Sequence, residues 1–311
     1  MIRLILSFTL GALTIGLWNI LSKPTMQMTR VSSELQTEIE YGKELFIHTA
    51  RYLGSKGLVA HQMNTRMNCQ NCHLDGGRKP YGISLIHTHG RYPDYRGRSG
   101  EVVTLAERIN NCIERPMNGK PLPENSREMK ALLSYFYYLS RGTRIGERAQ
   151  ETELIQMIQF PNRQASIEKG THLFQSKCIQ CHGRNGEGQL NKVQTEFVYP
   201  PLWGAESYNE ASNMHRTTKL ASFIKANMPL GATWDKPLLT DEEAIDLAAF
   251  INDPSHSRPR SKWNDYLNIS LKPIDYPFGP YADPFSEQTH RLGPFSDIVE
   301  LLKKEKRTAY Y

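Results

Sequence analysis

The sequence "CQNCH" at Cys69–His73 decides the fold class, and it has a second version, "CIQCH", at Cys178–His182. Both have the pattern Cys-x-x-Cys-His, which is the attachment signature of c-type haem. Two thiols three residues apart on one turn can each add to a haem vinyl group, and the adjacent histidine then reaches the iron. We therefore expect two covalent haems, with His73 and His182 as the proximal ligands. The predicted attachment residues are Cys69, Cys72, Cys178 and Cys181.

Other interpretations of the two cysteine pairs are weaker. The alternatives are a redox-active Cys-x-x-Cys motif, structural disulfides, or a zinc site built from both pairs. A zinc site gives no reason for a histidine directly after each pair, and a thioredoxin-like motif would need a βαβ context that the sequence lacks. Covalent haem also agrees with export, because haem of this kind is attached outside the cytoplasm.

Residues 1–24 predict that export. A mostly apolar stretch at 4–21 follows a single Arg3 and precedes Lys23 and Pro24. It is longer than a typical signal-peptide core, and no small-x-small cleavage site follows it. An uncleaved membrane anchor is therefore favoured over a cleaved signal peptide. In both cases we expect a periplasmic protein, with membrane attachment through residues 4–21 in the first case.

The charge of the chain restricts its partners. The formal net charge of +6 favours an anionic ligand or partner. The sequence has no run of Lys and Arg with interleaved aromatic residues and no nucleic-acid-binding motif. We therefore expect no nucleic-acid partner.

An internal repeat divides the chain into two similar halves. "IEYGKELF" at Ile39–Phe46 and "IEKGTHLF" at Ile167–Phe174 each precede one haem motif, with Ile, Gly, Leu and Phe at helical spacing. Gly42 and Gly170 would permit the close approach of a second helix. This order predicts an all-α fold with two class I cytochrome c-like domains. The predicted boundaries are 33–145 for the first domain, 146–165 for a linker and 166–254 for the second domain.

Each half also ends in a predicted helix. In the first half, Ser126 is a candidate N-cap before an apolar stripe that begins at Met129. In the second half, Thr240 and Glu243 form a capping box. Residues 255–311 are different, since they are rich in Pro, Tyr, Phe and Gly, and we expect few regular elements there. Such an extension is either disordered or wraps the two domains, and its aromatic content favours wrapping.

Each haem iron needs a second axial ligand. In "FIKANMPLG", Met228 lies in a Pro- and Gly-containing loop ahead of the last helix of the second half, as expected for the ligand opposite His182. The competing donors are Met214 and His215, and the ordinary structural role of Met228 would be to fill the core.

The fifth cysteine, Cys112, lies in the corresponding place of the first half. Lys-Pro-Leu at 120–122 follows Cys112 at the same interval at which Lys-Pro-Leu at 236–238 follows Met228. A lone cysteine is ordinarily a small buried apolar residue. The repeat instead predicts that Cys112 is an iron ligand or a reactive thiol beside the iron. A thiolate ligand lowers the haem potential and suits an enzyme that acts on sulfur compounds.

These motifs resemble the dihaem thiosulfate dehydrogenases, some of which work in reverse as tetrathionate reductases. The resemblance depends on "RINNCIERPMNGKPLP" around Cys112, both haem motifs, "FIKANMPLG" and the extension "KPIDYPFGPYADPFSEQTHRLGPF". It implies that the haem ligated by His73 and Cys112 joins two thiosulfates to give tetrathionate. It also implies that the haem ligated by His182 and Met228 passes the electrons to an external cytochrome c or similar carrier.

Arginines around Cys112 support an anionic substrate independently. Guanidinium groups bind the oxygens of sulfur oxyanions well, and positive charge would offset the repulsion between two dianions. The alternatives are solvated surface positions or contacts with haem propionates. Substrate contact is favoured for Arg108 and Arg115, which flank the cysteine at minus four and plus three. The cluster comprises Arg91, Arg96, Arg98, Arg108 and Arg115.

Two positions differ from the pattern of the family. Pro116 stands where the family has Ser, which removes a hydroxyl and a backbone N–H, and Asn227 stands where some members have Lys before the distal Met. Two other functions therefore stay open. One is a dihaem electron-transfer protein without substrate chemistry, and the other is an oxidoreductase acting on another sulfur oxyanion.

Overall fold

The computed structural model of the chain describes residues 33–146 and 157–309. The predicted export segment at 1–24 and half of the predicted linker, residues 147–156, lie outside the described residues. The described residues from 37 onward belong to one compact unit, so both haem motifs and the extension lie in the same unit. In the two described ranges, every helix is too short or too polar to cross a membrane.

Helices dominate the described ranges and confirm the predicted all-α class. The helices of the first half are α1 (Ser33–Ile47), α2 (Thr49–Leu53), α3 (Leu74–Gly77), α4 (Thr88–Arg91), α5 (Leu105–Glu114) and α6 (Arg127–Leu139). Those of the second half are α7 (Ile167–Lys177), α8 (Ile179–His182), α9 (Thr217–Asn227) and α10 (Asp241–Ile251). The extension adds α11 (Glu287–Leu292) and α12 (Phe295–Lys304), and short 3-10 turns lie at Cys69–Asn71, Asn213–His215 and Ile269–Leu271.

Two small antiparallel hairpins were not anticipated from the sequence. β1 (Asp94–Arg96) pairs with β2 (Glu101–Val103), and β3 (Gln189–Leu190) pairs with β4 (Phe197–Tyr199). Strands of two or three residues are too short for an alternating pattern to stand out from loop sequence. The first hairpin matters for the site, because it presents Arg96 just before α5.

The repeated helices cross at their glycines, as predicted. A Cβ atom on Gly42 would lie 2.0 Å from the carbonyl oxygen of Ala131 in α6, and one on Gly170 would lie 2.1 Å from that of Asp246 in α10. No other residue type could occupy these crossings without separating the helices. The first and last helices of each half therefore pack backbone against backbone in the same way.

The last aromatic residue of each repeat lies at the centre of its half. Phe46 is 1% exposed, and its ring centroid lies 6.1 Å from that of His73 and 5.7 Å from that of Tyr135. Phe174 is also 1% exposed and lies 5.2 Å from Trp203. Burial of such a side chain contributes about 2–3 kcal/mol to folding.

The helix caps of the closing helices also agree with the sequence. The Ser126 side chain accepts a hydrogen bond from the N–H of Met129 at the start of α6. Thr240 and Glu243 form the predicted capping box at the start of α10. Such caps stabilise a helix by about 1 kcal/mol each.

The extension wraps both halves, as its aromatic content indicated. The N–H of Tyr266 donates to the carbonyl oxygen of Arg98 at 2.8 Å, and Asp275 pairs with Arg216 of the second half. The extension is more regular than expected, however, since it forms α11 and α12. In α12 the buried residues recur at helical spacing, which the many turn-forming pairs before it obscured; they are Phe295, Ile298, Val299 and Leu302.

Candidate active site and haem attachment sites

The first haem motif presents its histidine for iron binding. The Nδ1 atom of His73 lies 2.8 Å from the carbonyl oxygen of Ile83. A carbonyl only accepts, so Nδ1 carries the hydrogen and Nε2 is the nitrogen available to bind iron. A bond of this kind fixes the tautomer and the ring orientation of a metal-binding histidine. His73 therefore has the form that a proximal haem ligand requires.

The second motif repeats this arrangement. Nδ1 of His182 lies 2.9 Å from the carbonyl oxygen of Pro200. Burial lowers the pKa of His182, which favours the neutral imidazole that binds iron. The same donor set thus recurs in both halves, and it fits two haem groups attached through neighbouring cysteines.

The cysteines of the first motif lie close to the fifth cysteine. All five cysteines are free thiols, which does not fit the disulfide alternative. Burial raises the pKa of Cys69 and of Cys72 to about 12, and the charge of Cys112 acts on both thiols in the same direction. The fold has therefore brought Cys112 next to a motif that lies about forty residues away in sequence.

Cys112 lies on α5, one turn after Arg108. Nη1 of Arg108 donates to Sγ of Cys112 at 3.0 Å. Burial by itself would raise the pKa of the Cys112 thiol, but the Arg108 guanidinium and the His73 ring outweigh burial and lower it to about 6. At neutral pH the sulfur is thus mainly a thiolate, which is the nucleophilic and iron-binding form. The His73 ring lies within hydrogen-bonding distance of the Cys112 sulfur, so the two predicted iron ligands of the first half are neighbours.

A second buried cation lies next to Arg108. The pKa of Arg96 is lowered by burial and by the positive charge of Arg108. The Arg96 guanidinium makes a long contact of 3.4 Å to Asp94, which also binds Arg91 at 2.9 Å. Two neighbouring buried guanidinium groups favour an anion beside them.

Tyr92 is a site residue that the sequence analysis missed. Its hydroxyl hydrogen-bonds Arg108, and together with the Cys112 thiolate it raises the pKa of that arginine. Tyr92 lies sixteen positions before Arg108 and belongs to no motif of the sequence. Only the fold places it beside the cysteine.

Arg98 and Arg115 lie elsewhere, on a shared carboxylate of the extension. Nη2 of Arg115 lies 2.9 Å from Oδ1 of Asp265, and Nη1 of Arg98 lies 3.6 Å from Oδ2. The Arg115 guanidinium also stacks on Trp263, with its central carbon 4.4 Å from the ring centroid. The structure thus separates the predicted arginine cluster into one group beside Cys112 and one pair held by the extension.

Met228, the predicted distal ligand of the second half, lies at the end of a helix. Met228 is half-buried and caps the C-terminus of α9. The competing donor His215 instead lines a cavity of about 230 Å³ together with residues of the extension, and its Nδ1 lies 3.0 Å from the carbonyl oxygen of Glu210. Burial lowers the pKa of His215 to about 3. The cysteines of the second motif and His182 do not line that cavity.

The residue that differs from the family pattern lies at a contact between the halves. The carbonyl oxygen of Pro116 accepts a hydrogen bond from the N–H of Asn209 at 3.3 Å. Asn118, two residues later, donates to the carbonyl oxygen of Ser207 at 3.1 Å. The end of α5 is therefore fixed by the second half as well as by the extension.

Comparison with known proteins agrees with this geometry. The family model described as "SoxA/TsdA, cytochrome c domain" matches residues 58–145, and the model described as "Cytochrome c" matches residues 167–254. Two such domains mean two covalently bound c-type haems.

Several relatives carry the name thiosulfate dehydrogenase. The one from Stutzerimonas stutzeri is 36% identical over 222 residues, which are 71% of this chain and 68% of that protein. The one from Psychrobacter arcticus is 34% identical over 79% of this chain and 73% of that protein. The one from Allochromatium vinosum is 32% identical over 76% of this chain and 86% of that protein.

A solved structure has the same fold. Thiosulfate dehydrogenase (TsdBA) from Marichromatium purpuratum, in its "as isolated" form, superposes with a TM-score of 0.69 at 32% identity. The match covers 84% of this chain, but it spans only 53% of the solved chain.

Proposed function

The chain belongs to the thiosulfate dehydrogenase family, and we propose that it oxidises two thiosulfates to one tetrathionate. In this reaction the outer sulfur atoms of two dianions form an S–S bond, and two electrons are released. The two haems supply the one-electron redox chemistry when they are bound. An external cytochrome c or a similar carrier takes up the electrons, and under reducing conditions the reaction runs towards thiosulfate.

The observation that carries this proposal is the hydrogen bond of 3.0 Å from Nη1 of Arg108 to Sγ of Cys112, beside the His73 ring. We propose that His73 and Cys112 would bind the iron of the first haem, and that His182 and Met228 would bind the iron of the second. A thiolate that is stabilised by a buried arginine, and not by solvent, is available for sulfur chemistry. An electron carrier has no use for such a pair beside its haem.

Arg96 and Arg108 are proposed to bind the substrate. Two dianions whose charges lie about 4 Å apart repel each other by roughly 4 kcal/mol even in water. A pair of guanidinium groups with few partners offsets this repulsion and offers several N–H donors to the sulfonate oxygens. The hydroxyl of Tyr92 orients Arg108 from the other side.

Arg98 and Arg115 are proposed to act from a distance. Their ion pairs with Asp265 hold the extension against the hairpin and against the end of α5. They therefore position the segment that carries Cys112 without touching the substrate themselves.

We further propose that the two domains extend over 33–145 and 166–254, and that the protein works in the periplasm. The family match and covalent haem attachment both favour an exported protein. Membrane attachment through residues 4–21 stays a prediction, since that segment lies outside the described residues.

A pair of steady-state assays tests the proposed function. Fully haem-loaded protein is assayed with thiosulfate and ferricyanide, and separately with tetrathionate and a reduced dye. Turnover in at least one assay is expected. A pure electron carrier gives turnover in neither assay, and an enzyme for another sulfur oxyanion responds only when that anion replaces thiosulfate.

A spectroscopic experiment tests the ligand assignment separately. The ferric protein and Cys112→Ala are compared by electron paramagnetic resonance (EPR). The variant is expected to lose one low-spin signal and to keep the other. Identical spectra would show that the cysteine is not bound to iron.

A further inference from the structure

A three-residue loop, Tyr81–Ile83, connects the iron ligands of the two halves. Its last carbonyl, that of Ile83, accepts the hydrogen bond from Nδ1 of His73 at 2.8 Å. Its middle carbonyl, that of Gly82, accepts from the N–H of Leu74 at 3.0 Å. Two of its three carbonyls are thus committed to the proximal histidine and to the residue after it.

The first carbonyl of the loop is held by the other half. Nδ2 of Asn227 donates to the carbonyl oxygen of Tyr81 at 3.0 Å and also to that of Phe223 at 3.0 Å. Asn227 directly precedes Met228, the proposed ligand of the second haem. The same segment makes one further contact, because the ring of Trp234 lies 4.8 Å from that of Tyr81.

Burial of the Asn227 side chain costs free energy of folding, which indicates that the hydrogen bonds of its N–H groups are needed. Only 5% of the residue is exposed, and its Oδ1 atom has no hydrogen-bond partner among the described residues. A buried amide oxygen without a partner destabilises a fold, and a leucine of similar size would avoid that cost. The two N–H bonds are the visible compensation.

The loop itself depends on such outside contacts. Tyr81 and Ile83 have φ values of 57° and 54°, in the left-handed region that non-glycine residues rarely adopt. The conformation is especially unfavourable for Ile83, because its side chain is β-branched. Residues in this region keep it only where neighbouring contacts enforce it.

We propose that Asn227 is a positioning residue of the second half that sets the reduction potential of the first haem. This inference rests on the proposed ligation of that haem by His73. Asn227 holds Tyr81, the loop then holds the carbonyl of Ile83 against Nδ1 of His73, and that hydrogen bond increases the basicity of the ligating imidazole. A more basic ligand stabilises ferric iron and lowers the potential. The potential of the first haem is therefore coupled to the segment that carries Met228.

The test compares Asn227→Leu with Asn252→Leu in the full-length, haem-loaded protein. Asn252 is a matched control, because it is 6% exposed and its side chain bonds only Met214 and Tyr208, both in the second half. The potentials of both haems are measured by spectroscopic redox titration, and the thiolate-ligated ferric haem is observed by EPR. In Asn227→Leu we expect a shift of the first haem to higher potential and a changed EPR signal of that haem. In Asn252→Leu we expect the potential and the EPR signal of the first haem to equal those of the wild type.

A second variant decides the matter if Asn227→Leu does not fold. Trp234 is 45% exposed, so Trp234→Leu is expected to fold and to shift the first haem in the same direction by a smaller amount. The proposal would be overturned if the potential of the first haem is unchanged in whichever of these variants folds. It would also be overturned if Asn252→Leu shifts that potential by an equal amount. Failure of the proposed function is recognised separately, because the wild type would then lack turnover in both assays or lack a thiolate-ligated signal.

Discussion

Replacing Arg115 decides between substrate contact and a structural role. The sequence favoured substrate contact, whereas the structure places this arginine in an ion pair with Asp265 whose side chains are 7% and 2% exposed. At 2.9 Å and an effective dielectric constant of about 20, the two charges attract each other by about 6 kcal/mol. Desolvation offsets much of this attraction, but removal of one partner leaves the other charge buried and costs about 3–5 kcal/mol.

Asp265 and Arg115 are not equivalent, because Asp265 pairs with two arginines and Arg115 with one carboxylate. In Asp265→Asn, Arg98 and Arg115 both lose their carboxylate, so we expect the upper end of that range, about 5 kcal/mol. In Arg115→Met, Asp265 keeps Arg98 at 3.6 Å, and the methionine still packs on Trp263, so we expect about 3 kcal/mol. The double variant should lose at least about 1 kcal/mol less than the sum of the single losses.

The free energies of unfolding are measured by urea denaturation of the haem-loaded proteins, followed by circular dichroism. The matched control is Arg127→Met, since Arg127 is 64% exposed in its pair with Glu38 and should lose less than about 0.5 kcal/mol. Thiosulfate kinetics are recorded for each folded variant, and kcat and KM are compared. If Arg115→Met is as stable as the control but raises KM tenfold or more, Arg115 binds substrate and our reasoning is refuted.

Three other perturbations have defined outcomes. Arg108→Met removes a charge-assisted bond to the reactive sulfur, and kcat/KM for thiosulfate should fall by about 10- to 100-fold, whereas an unchanged value would remove Arg108 from the site. Asp275 is buried, which raises its pKa, but Arg216 and Thr218 more than compensate, so its pKa lies below the ordinary value of 3.8. Its stabilisation is therefore present above pH 3.8 and lost as the pH falls through the lower pKa of the folded state, so acid unfolding should be steeper in wild type than in Asp275→Asn. Gly170→Ala would place a Cβ 2.1 Å from a carbonyl oxygen, and the free energy of unfolding should fall by about 3 kcal/mol or more. Thermal unfolding, with a lower melting temperature, measures this loss.

Features that depend on neighbouring residues were predictable. The spacing of each haem motif is satisfied within a single turn, so five consecutive residues are enough to propose His73 and His182 as ligands. The crossing of the helices at Gly42 and Gly170 follows from helical periodicity and the absence of a Cβ atom. Neither prediction needs any knowledge of what lies on the other side of the protein.

The different roles of Arg108 and Arg115 could not be predicted in this way. Both lie within one turn of Cys112 in sequence, and a continuous helix would place both near its sulfur. The structure ends α5 at Glu114, and Arg115 leaves the helical region with φ of −83° and ψ of −81°. Its side chain is therefore free to reach a carboxylate 150 positions away.

The sequence by itself determined that this is a two-domain haem protein. It also determined that the first half has a thiol, Cys112, at the position where the second half has the thioether of Met228. Both features are encoded in local spacing and in a repeat. Only the tertiary structure decided which charges face that thiol. Arg108 contacts the thiol, and Tyr92 and Arg96 lie close to Arg108. The extension, which carries no catalytic motif, takes the other two arginines away through a single buried carboxylate, Asp265. Electrostatic contacts of this kind depend on distance in space, which separation along the chain does not reveal.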